Sequence, residues 1–115
     1  MNAKPFDLHY AVAARDILLK QYNKKITVRD IAETLGVGEK TLRRAFKKYY
    51  DETIFSYQRR LRMEQARQLL QDGNKPVKRV ARLVGYRNES SFSRVFRRHF
   101  GHPPSARPGK DEKTF

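Results

Sequence analysis

The chain has 115 residues, enough for one domain of ordinary size or two very small ones. Its 26 Lys and Arg residues exceed its 12 Asp and Glu residues, and the net charge of +14 indicates a polyanionic partner. The absence of cysteine excludes disulfides, thiolate zinc sites and a cysteine nucleophile. The N-terminal segment lacks a signal-peptide pattern and no apolar run is long enough to cross a membrane, which predicts a cytoplasmic protein with no membrane partner.

Apolar residues recur with a helical period from the N-terminal region onward, and no alternating pattern typical of a strand is present. The predicted fold class is therefore all-α. The first helix is predicted from about Asp7 to Tyr22. The residues predicted on its apolar side are Leu8, Ala11, Val12, Leu18, Leu19 and Tyr22.

A second helix is predicted to begin at Thr27, because Thr27 and Asp30 have the spacing of a capping box. Gly36 is predicted to end this helix, and a third helix follows almost immediately. The predicted buried residues of the third helix are Leu42, Ala45, Phe46 and Tyr49. Its other side is almost entirely cationic and carries Lys40, Arg43, Arg44, Lys47 and Lys48.

A longer helix is predicted from about Thr53 to Asp72, and at about 1.5 Å per residue it would span roughly 30 Å. Its candidate inner residues are Ile54, Tyr57, Leu61, Ala66, Leu69 and Leu70. Pro76 suits the first turn of a fifth helix, and a sixth is predicted to begin near Asn88. The predicted apolar stripe of the sixth helix is Phe92, Val95, Phe96 and Phe100. One more short turn after Pro104 would bring the total to about seven helices.

Two segments of the chain are similar to each other. The apolar residues of 28–37 recur 49 positions later and those of 41–50 recur 50 positions later, each copy with an alanine four residues before a glycine. Helix, glycine-containing turn and helix form a helix-turn-helix pattern, and the second helix is the cationic one both times. The predicted organisation is a first subdomain at 1–50, a linker helix at 51–73, a second subdomain at 74–107 and a flexible tail at 108–115.

The segment PVKRVARLVGYRNESSFSRVFRRHFGHPPSAR, residues 76–107, resembles the second helix-turn-helix and closing motif of the AraC/XylS family of bacterial transcription regulators. The resemblance extends back through the connecting helix and VRDIAETLGVGEKTLRRAFKKYY to about residue 8. It implies promoter DNA and RNA polymerase as partners, with activation commoner than repression. It also implies that the chain is either a stand-alone member or an excised C-terminal domain.

The resemblance implies which residues face DNA. The first recognition helix would present Glu39, Lys40, Arg43 and Arg44 to the bases. Arg43 or Lys40 suits guanine O6 and N7, and Glu39 could accept from a cytosine amino group. The matching surface in the second copy consists of Glu89, Ser90, Ser91, Ser93 and Arg94, where small hydroxyls suit water-mediated contacts. The residues expected at phosphates are Thr41, Lys47, Lys48, Arg97 and Arg98.

For several other residues a structural role, or simple exposure to solvent, is an alternative to a functional role. Arg59, Arg60 and Arg62 either contact the DNA backbone or only solvate their helix face, and the sequence favours neither. The helical spacing of the phenylalanines indicates a core and not a base-stacking surface. His99 and His102 lack further ligands for a metal, and no serine has an acid-oriented histidine or a glycine-rich elbow. The chain is therefore predicted to be no enzyme and to need no cofactor or metal.

The predicted function is a sequence-specific regulator that binds double-stranded DNA at the nucleoid. Two recognition helices would enter successive major grooves of a site of about 20 base pairs, which a monomer could cover. Two alternatives stay open. A sequence-indifferent architectural protein would need only the net charge of +14 and would select no motif. An adaptor that docks acidic protein surfaces through its basic helices would bind DNA weakly even at low salt.

Overall fold

The computed structural model describes residues 6–105, and within them the chain forms six α-helices and no strand. The helices are α1 (Asp7–Gln21), α2 (Val28–Leu35), α3 (Glu39–Tyr50), α4 (Ile54–Gln71), α5 (Val77–Leu83) and α6 (Glu89–Phe100). The all-α prediction is confirmed. The expected seventh element is only a turn at 104–105 in the described range, and the predicted tail at 108–115 lies outside it. No helix of the described range is long and apolar enough to cross a bilayer.

Two compact units divide the chain, the first ending at Leu61 and the second beginning at Arg62. Each unit has its own buried cluster of apolar side chains. The first cluster contains Ala14, Leu18, Ile31, Ala32, Leu42, Phe46 and Ile54. The second contains Met63, Ala66, Leu70, Val80, Ala81, Val84, Phe92 and Phe96. The first half of α4 therefore packs in one core and its second half packs in the other.

The ends of the helices are set by local hydrogen bonds. The Thr27 hydroxyl accepts from the Asp30 backbone N–H at 3.1 Å, and the Thr27 N–H donates to the Asp30 carboxylate at 3.0 Å, so the predicted capping box is confirmed. Gly36 ends α2 in the left-handed conformation with φ 69°, which costs a glycine little. The Asn88 side chain accepts from the Ser91 backbone N–H at 2.9 Å and starts α6 at the predicted position.

Several inner faces differ from the prediction. In α1, Ala11 and Leu18 are buried as predicted, and Ala14 is buried with them. Leu8 and Leu19, which were also predicted on the apolar side, are 50% and 47% exposed. α1 packs chiefly against α3. Tyr49 is also exposed, and the ring that packs on the first core from the end of α3 is the neighbouring Tyr50. In α4 the prediction missed two buried residues, Met63 and Gln58.

Candidate nucleic-acid interface

The second helix of each unit exposes a row of cations. In α3 the exposed cationic residues are Lys40, Arg43, Arg44, Lys47 and Lys48, while Glu39 and Thr41 are half-buried. Leu42, Ala45 and Phe46 point into the core and have no exposed surface. The amphipathic division of α3 therefore holds its backbone against the unit and turns the basic side chains to solvent.

Arg44 differs from the other cations of α3. Its Nη2 donates to the carboxylate of Asp7 at 3.2 Å, and the Asp7 side chain is 3% exposed whereas that of Arg44 is 45% exposed. A buried carboxylate in the first turn of α1 thus restrains a side chain of α3. The sequence analysis missed this role of Asp7, because an acid at a helix start is normally explained by the helix dipole.

Two further cations of α3 have partners on their own helix or at its end. Arg43 Nη2 lies 3.3 Å from Glu39 Oε1 one turn earlier, and Lys47 Nζ lies 3.8 Å from Asp51 Oδ1 one turn later. All four side chains are at least 41% exposed, so these pairs contribute little to stability and are easily exchanged for contacts with an anion. Glu39 and Arg43 place a hydrogen-bond acceptor beside a bidentate donor.

In the second unit, α6 presents a more sparsely charged surface. Glu89, Ser90, Arg94, Arg97 and Arg98 are exposed, whereas Ser91 and Ser93 are half-buried. The Ser91 backbone is engaged in the Asn88 cap. By the 50-residue offset Arg94 corresponds to Arg44, but Arg94 forms no ion pair with any residue of the described range. Of the two equivalent arginines, Arg44 of α3 is therefore held by an ion pair, whereas Arg94 of α6 is not held by one within the described range.

The arginines of α4, which the sequence left open, have partners within the protein. Arg60 Nη2 lies 2.7 Å from Glu52 Oε1, and its guanidinium lies 4.9 Å from the ring centroid of Tyr57. The Arg62 guanidinium lies 5.1 Å from the Tyr86 ring centroid. A cation–π contact of this kind stabilises an arginine side chain even where no anion is bound to it. These contacts favour a structural explanation for Arg60 and Arg62.

The phenylalanines and His102 take part in packing within the protein. Phe46, Phe92 and Phe96 are at most 1% exposed, which confirms that they form the cores. The His102 ring lies 5.7 Å from the Phe96 ring, edge to face. Within residues 6–105 no three His, Cys, Asp or Glu side chains gather closely enough to hold a metal ion.

Both units thus contain a helix, a tight turn and a second helix with an exposed cationic face, which defines a protein with two helix-turn-helix motifs. A family model described as a helix-turn-helix domain matches residues 31–107, more than half of the chain. The chain belongs to this family, in its AraC-type branch of DNA-binding domains from bacterial transcription regulators.

Two relatives illustrate the branch. The chain is 38% identical over 78 residues to a putative AraC-like transcription regulator of Streptomyces lividans, covering 68% of this chain and 26% of that protein. It is 33% identical over 94 residues to the lactose operon transcription activator of Staphylococcus xylosus, covering 82% of this chain and 33% of that protein. The chain therefore spans about a third or less of the length of these relatives.

Solved structures have the same fold. The C-terminal domain of AraT, a response regulator from Geobacillus stearothermophilus, matches with a TM-score of 0.81 and 26% identity, over 91% of this chain and 84% of that one. The DNA-binding domain of AdpA, solved in complex with a target DNA, matches with a TM-score of 0.77 and 23% identity, over 84% of this chain and 86% of that one. At that lower identity the likeness to AdpA is one of fold alone.

Proposed function

We propose that the chain binds promoter DNA sequence-specifically, with α3 and α6 as recognition helices in successive major grooves of a site of about 20 base pairs. The observation that carries the proposal is the exposed cationic face on the second helix of both helix-turn-helix motifs. In the proposed division, residues 1–50 and 74–107 each carry one recognition helix and residues 51–73 join them. AdpA, which shares the fold, was solved with its target DNA.

The side chains of α3 support a base-reading role. Glu39 and Arg43 lie one helical turn apart with their charged groups 3.3 Å from each other. An arginine suits guanine and a glutamate suits the amino group of cytosine, so together they fit a G·C pair or two adjacent pairs. Lys40 and Arg44 are the remaining proposed base contacts of α3. The proposed phosphate contacts of this helix are Thr41, Lys47 and Lys48.

The surface of α6 supports a less discriminating contact. The proposed base-reading set is Glu89, Ser90, Ser91, Ser93 and Arg94, in which hydroxyl groups predominate. Short hydroxyl side chains favour water-mediated contacts, which tolerate base changes better than a bidentate arginine does. Arg97 and Arg98 in the last turn are the proposed phosphate contacts of this helix.

The proposed biological role is transcription activation in the cytoplasm at the nucleoid, with RNA polymerase as a partner and the chain binding as a monomer. The S. xylosus relative is a transcription activator, which supports this sign of regulation. Transcription in vitro from a promoter that carries the selected site measures the sign directly. More transcript on addition of the protein is expected, and less transcript would contradict the activator role.

The experiment that tests DNA reading is selection from random duplexes of about 30 base pairs at about 150 mM salt with excess competitor, since binding to phosphates alone fades steeply there. Two enriched boxes about one helical turn apart are expected. A single box would contradict the proposal that both motifs read DNA. The absence of any box would replace it with the architectural or adaptor alternative.

Single substitutions separate base reading from phosphate binding. Arg43→Ala and Arg94→Ala should each weaken preference in one box by about 1–3 kcal/mol, because a bidentate contact is lost. Lys47→Ala should weaken binding to all duplexes by the same factor. Lys20→Ala, which removes the same charge from α1, serves as the control in the binding assay. Equal loss on every duplex from all three recognition-helix variants would contradict base reading.

A further inference from the structure

The second unit has a cationic surface outside its recognition helix. Lys78, Arg79 and Arg82 are exposed on α5, and together with Pro76 they line one open surface pocket of about 320 Å³. The other side of α5 is buried in the core through Val80 and Ala81. The three cations therefore share a single outward face, which we call the α5 face.

The cations of the α5 face have no acidic partner among residues 6–105. None of the three forms an ion pair with another residue in the described part of the chain. In the first unit, by contrast, four cations of α2 and α3 each pair with a carboxylate. Those pairs are Arg29 with Glu33, Arg43 with Glu39, Arg44 with Asp7 and Lys47 with Asp51. The charge of the α5 face is therefore left for a ligand outside the unit.

The internal repeat shows that the fold does not require these cations. With the 49-residue offset, the α5 face corresponds to Arg29, Asp30 and Glu33 of α2. There Asp30 forms the capping box and Glu33 lies 3.4 Å from Arg29. The same helix in the same motif is thus built with two acids at the positions that hold Arg79 and Arg82. Packing does not explain the reversal of charge.

The position of the cations also opposes helix stability. Lys78 and Arg79 lie in the first turn of α5, where the helix dipole disfavours positive charge. No side chain caps this end, because Pro76 occupies the N-cap position. Placing three like charges on one short helix face adds repulsion. Both costs are relieved when an anion binds.

We propose that the α5 face binds phosphate groups of the duplex DNA backbone. The inference rests on the proposed function, and it adds a second DNA-contacting helix in the second unit only. In a helix-turn-helix the first helix crosses the backbone while the second lies in the groove, so α5 has the position that meets phosphates. Base reading by α3 then contributes more to DNA binding by the first unit, and contacts with phosphates contribute more to binding by the second.

The test compares a variant of the α5 face with a charge-matched control, both made in the full chain. The α5 variant combines Lys78→Gln, Arg79→Gln and Arg82→Gln, and the control combines Lys20→Gln, Lys24→Gln and Lys25→Gln. Affinity is measured over a series of salt concentrations for the selected duplex and for an unrelated duplex. The slope of log affinity against log salt should fall by about 0.9 per lost phosphate contact, or about 2.7 in the α5 variant.

The outcomes distinguish the inference from the function on which it rests. Equal loss of affinity on both duplexes with an unchanged base preference supports the α5 face, provided that the control retains the wild-type slope. An unchanged slope in the α5 variant, or the same fall in the control, would overturn it. A wild-type chain that fails to bind the duplexes would instead defeat the proposed function. If the triple variant does not fold, Arg82→Gln alone should lower the slope by about 0.9.

Discussion

At the residue scale, Arg43 and Arg44 are neighbours of the same type with different surroundings. Arg43 is paired with an exposed glutamate of its own helix, whereas Arg44 reaches a carboxylate that is almost fully buried in α1. A buried carboxylate loses much of its hydration, so a hydrogen-bonded cation matters more to it than to an exposed one. Arg44 therefore has a structural role in addition to its proposed DNA contact.

Arg44→Ala is expected to destabilise the protein by about 1–3 kcal/mol, because Asp7 loses a charged hydrogen-bond partner. Arg43→Ala is expected to change stability by less than about 0.5 kcal/mol, since its ion pair is solvent-exposed. Chemical denaturation measures both. Combining Arg44→Ala with Asp7→Asn should cost less than the sum of the single changes. Simple additivity would mean that the two side chains are not coupled.

At the element scale, residues at the helix ends set where each helix begins and stops. The helices α3 and α6 end in the same way: Asp51 has φ 55° and Gly101, its repeat equivalent, has φ 84°. Asp tolerates this left-handed conformation better than most residues, but glycine tolerates it best. The start of α2 is fixed by the reciprocal bonds of Thr27 and Asp30. These local interactions explain why the boundaries agree closely with the sequence prediction.

The capping box makes the stability of α2 depend on pH. Hydrogen bonds from the Thr27 backbone and then from its hydroxyl, with the nearby charge of Arg29, lower the pKa of the Asp30 carboxyl below its usual value. The ionised form therefore stabilises the folded state above the ordinary aspartate pKa of about 3.9, and this contribution is lost as the pH falls through the lowered folded-state pKa.

Asp30→Asn is expected to destabilise the protein near pH 7. Its effect should become progressively smaller below about pH 4, where the carboxyl of the unfolded chain becomes protonated, and should be lost as the pH falls through the lowered pKa of the folded state. Thermal unfolding at several pH values measures the difference. Asp72→Asn is the matched control, because Asp72 is exposed and has no hydrogen bond within residues 6–105. A difference between wild type and Asp30→Asn that stays constant with pH would contradict the role of the ionised carboxylate.

At the scale of the whole molecule, two small cores are built from one repeated pattern. Phe46 and Phe96 are equivalent in the repeat, and each belongs to the buried cluster of its own unit. Removing part of a buried aromatic side chain loses contacts only among its neighbours. The stability of each unit should therefore respond chiefly to its own phenylalanine.

Phe46→Leu is expected to reduce hydrogen-exchange protection more in α1 to α3 than in α5 and α6, and Phe96→Leu should have the opposite effect. The expected cost is about 1–2 kcal/mol at the affected amides. Native-state hydrogen exchange followed residue by residue measures both variants, each serving as the control for the other. An equal loss of protection in both units would mean that they open as a single cooperative unit.

The amino-acid sequence alone was enough to predict the helical class, the two helix-turn-helix motifs, the helix ends and the cationic faces. These features depend on residues close together in the chain, through helical periodicity, capping and turn glycines. The internal repeat also pairs equivalent positions of the two motifs, such as Arg44 and Arg94, by their spacing alone. Which bases and phosphates these residues contact stays a prediction.

The packing of the helices against one another sets which apolar residues of α1 are buried and which cations of α3 are restrained. Because α1 is apolar on several sides, its own sequence does not distinguish Leu8 and Leu19, which are exposed, from Ala14 and Leu18, which are buried. The small side chains of alanines allow helices to pack closely. The contact between Asp7 and Arg44 joins residues 37 positions apart, and neither local spacing nor charge pattern specifies it. It exists because the packing of α1 on α3 brings a carboxylate and a guanidinium together.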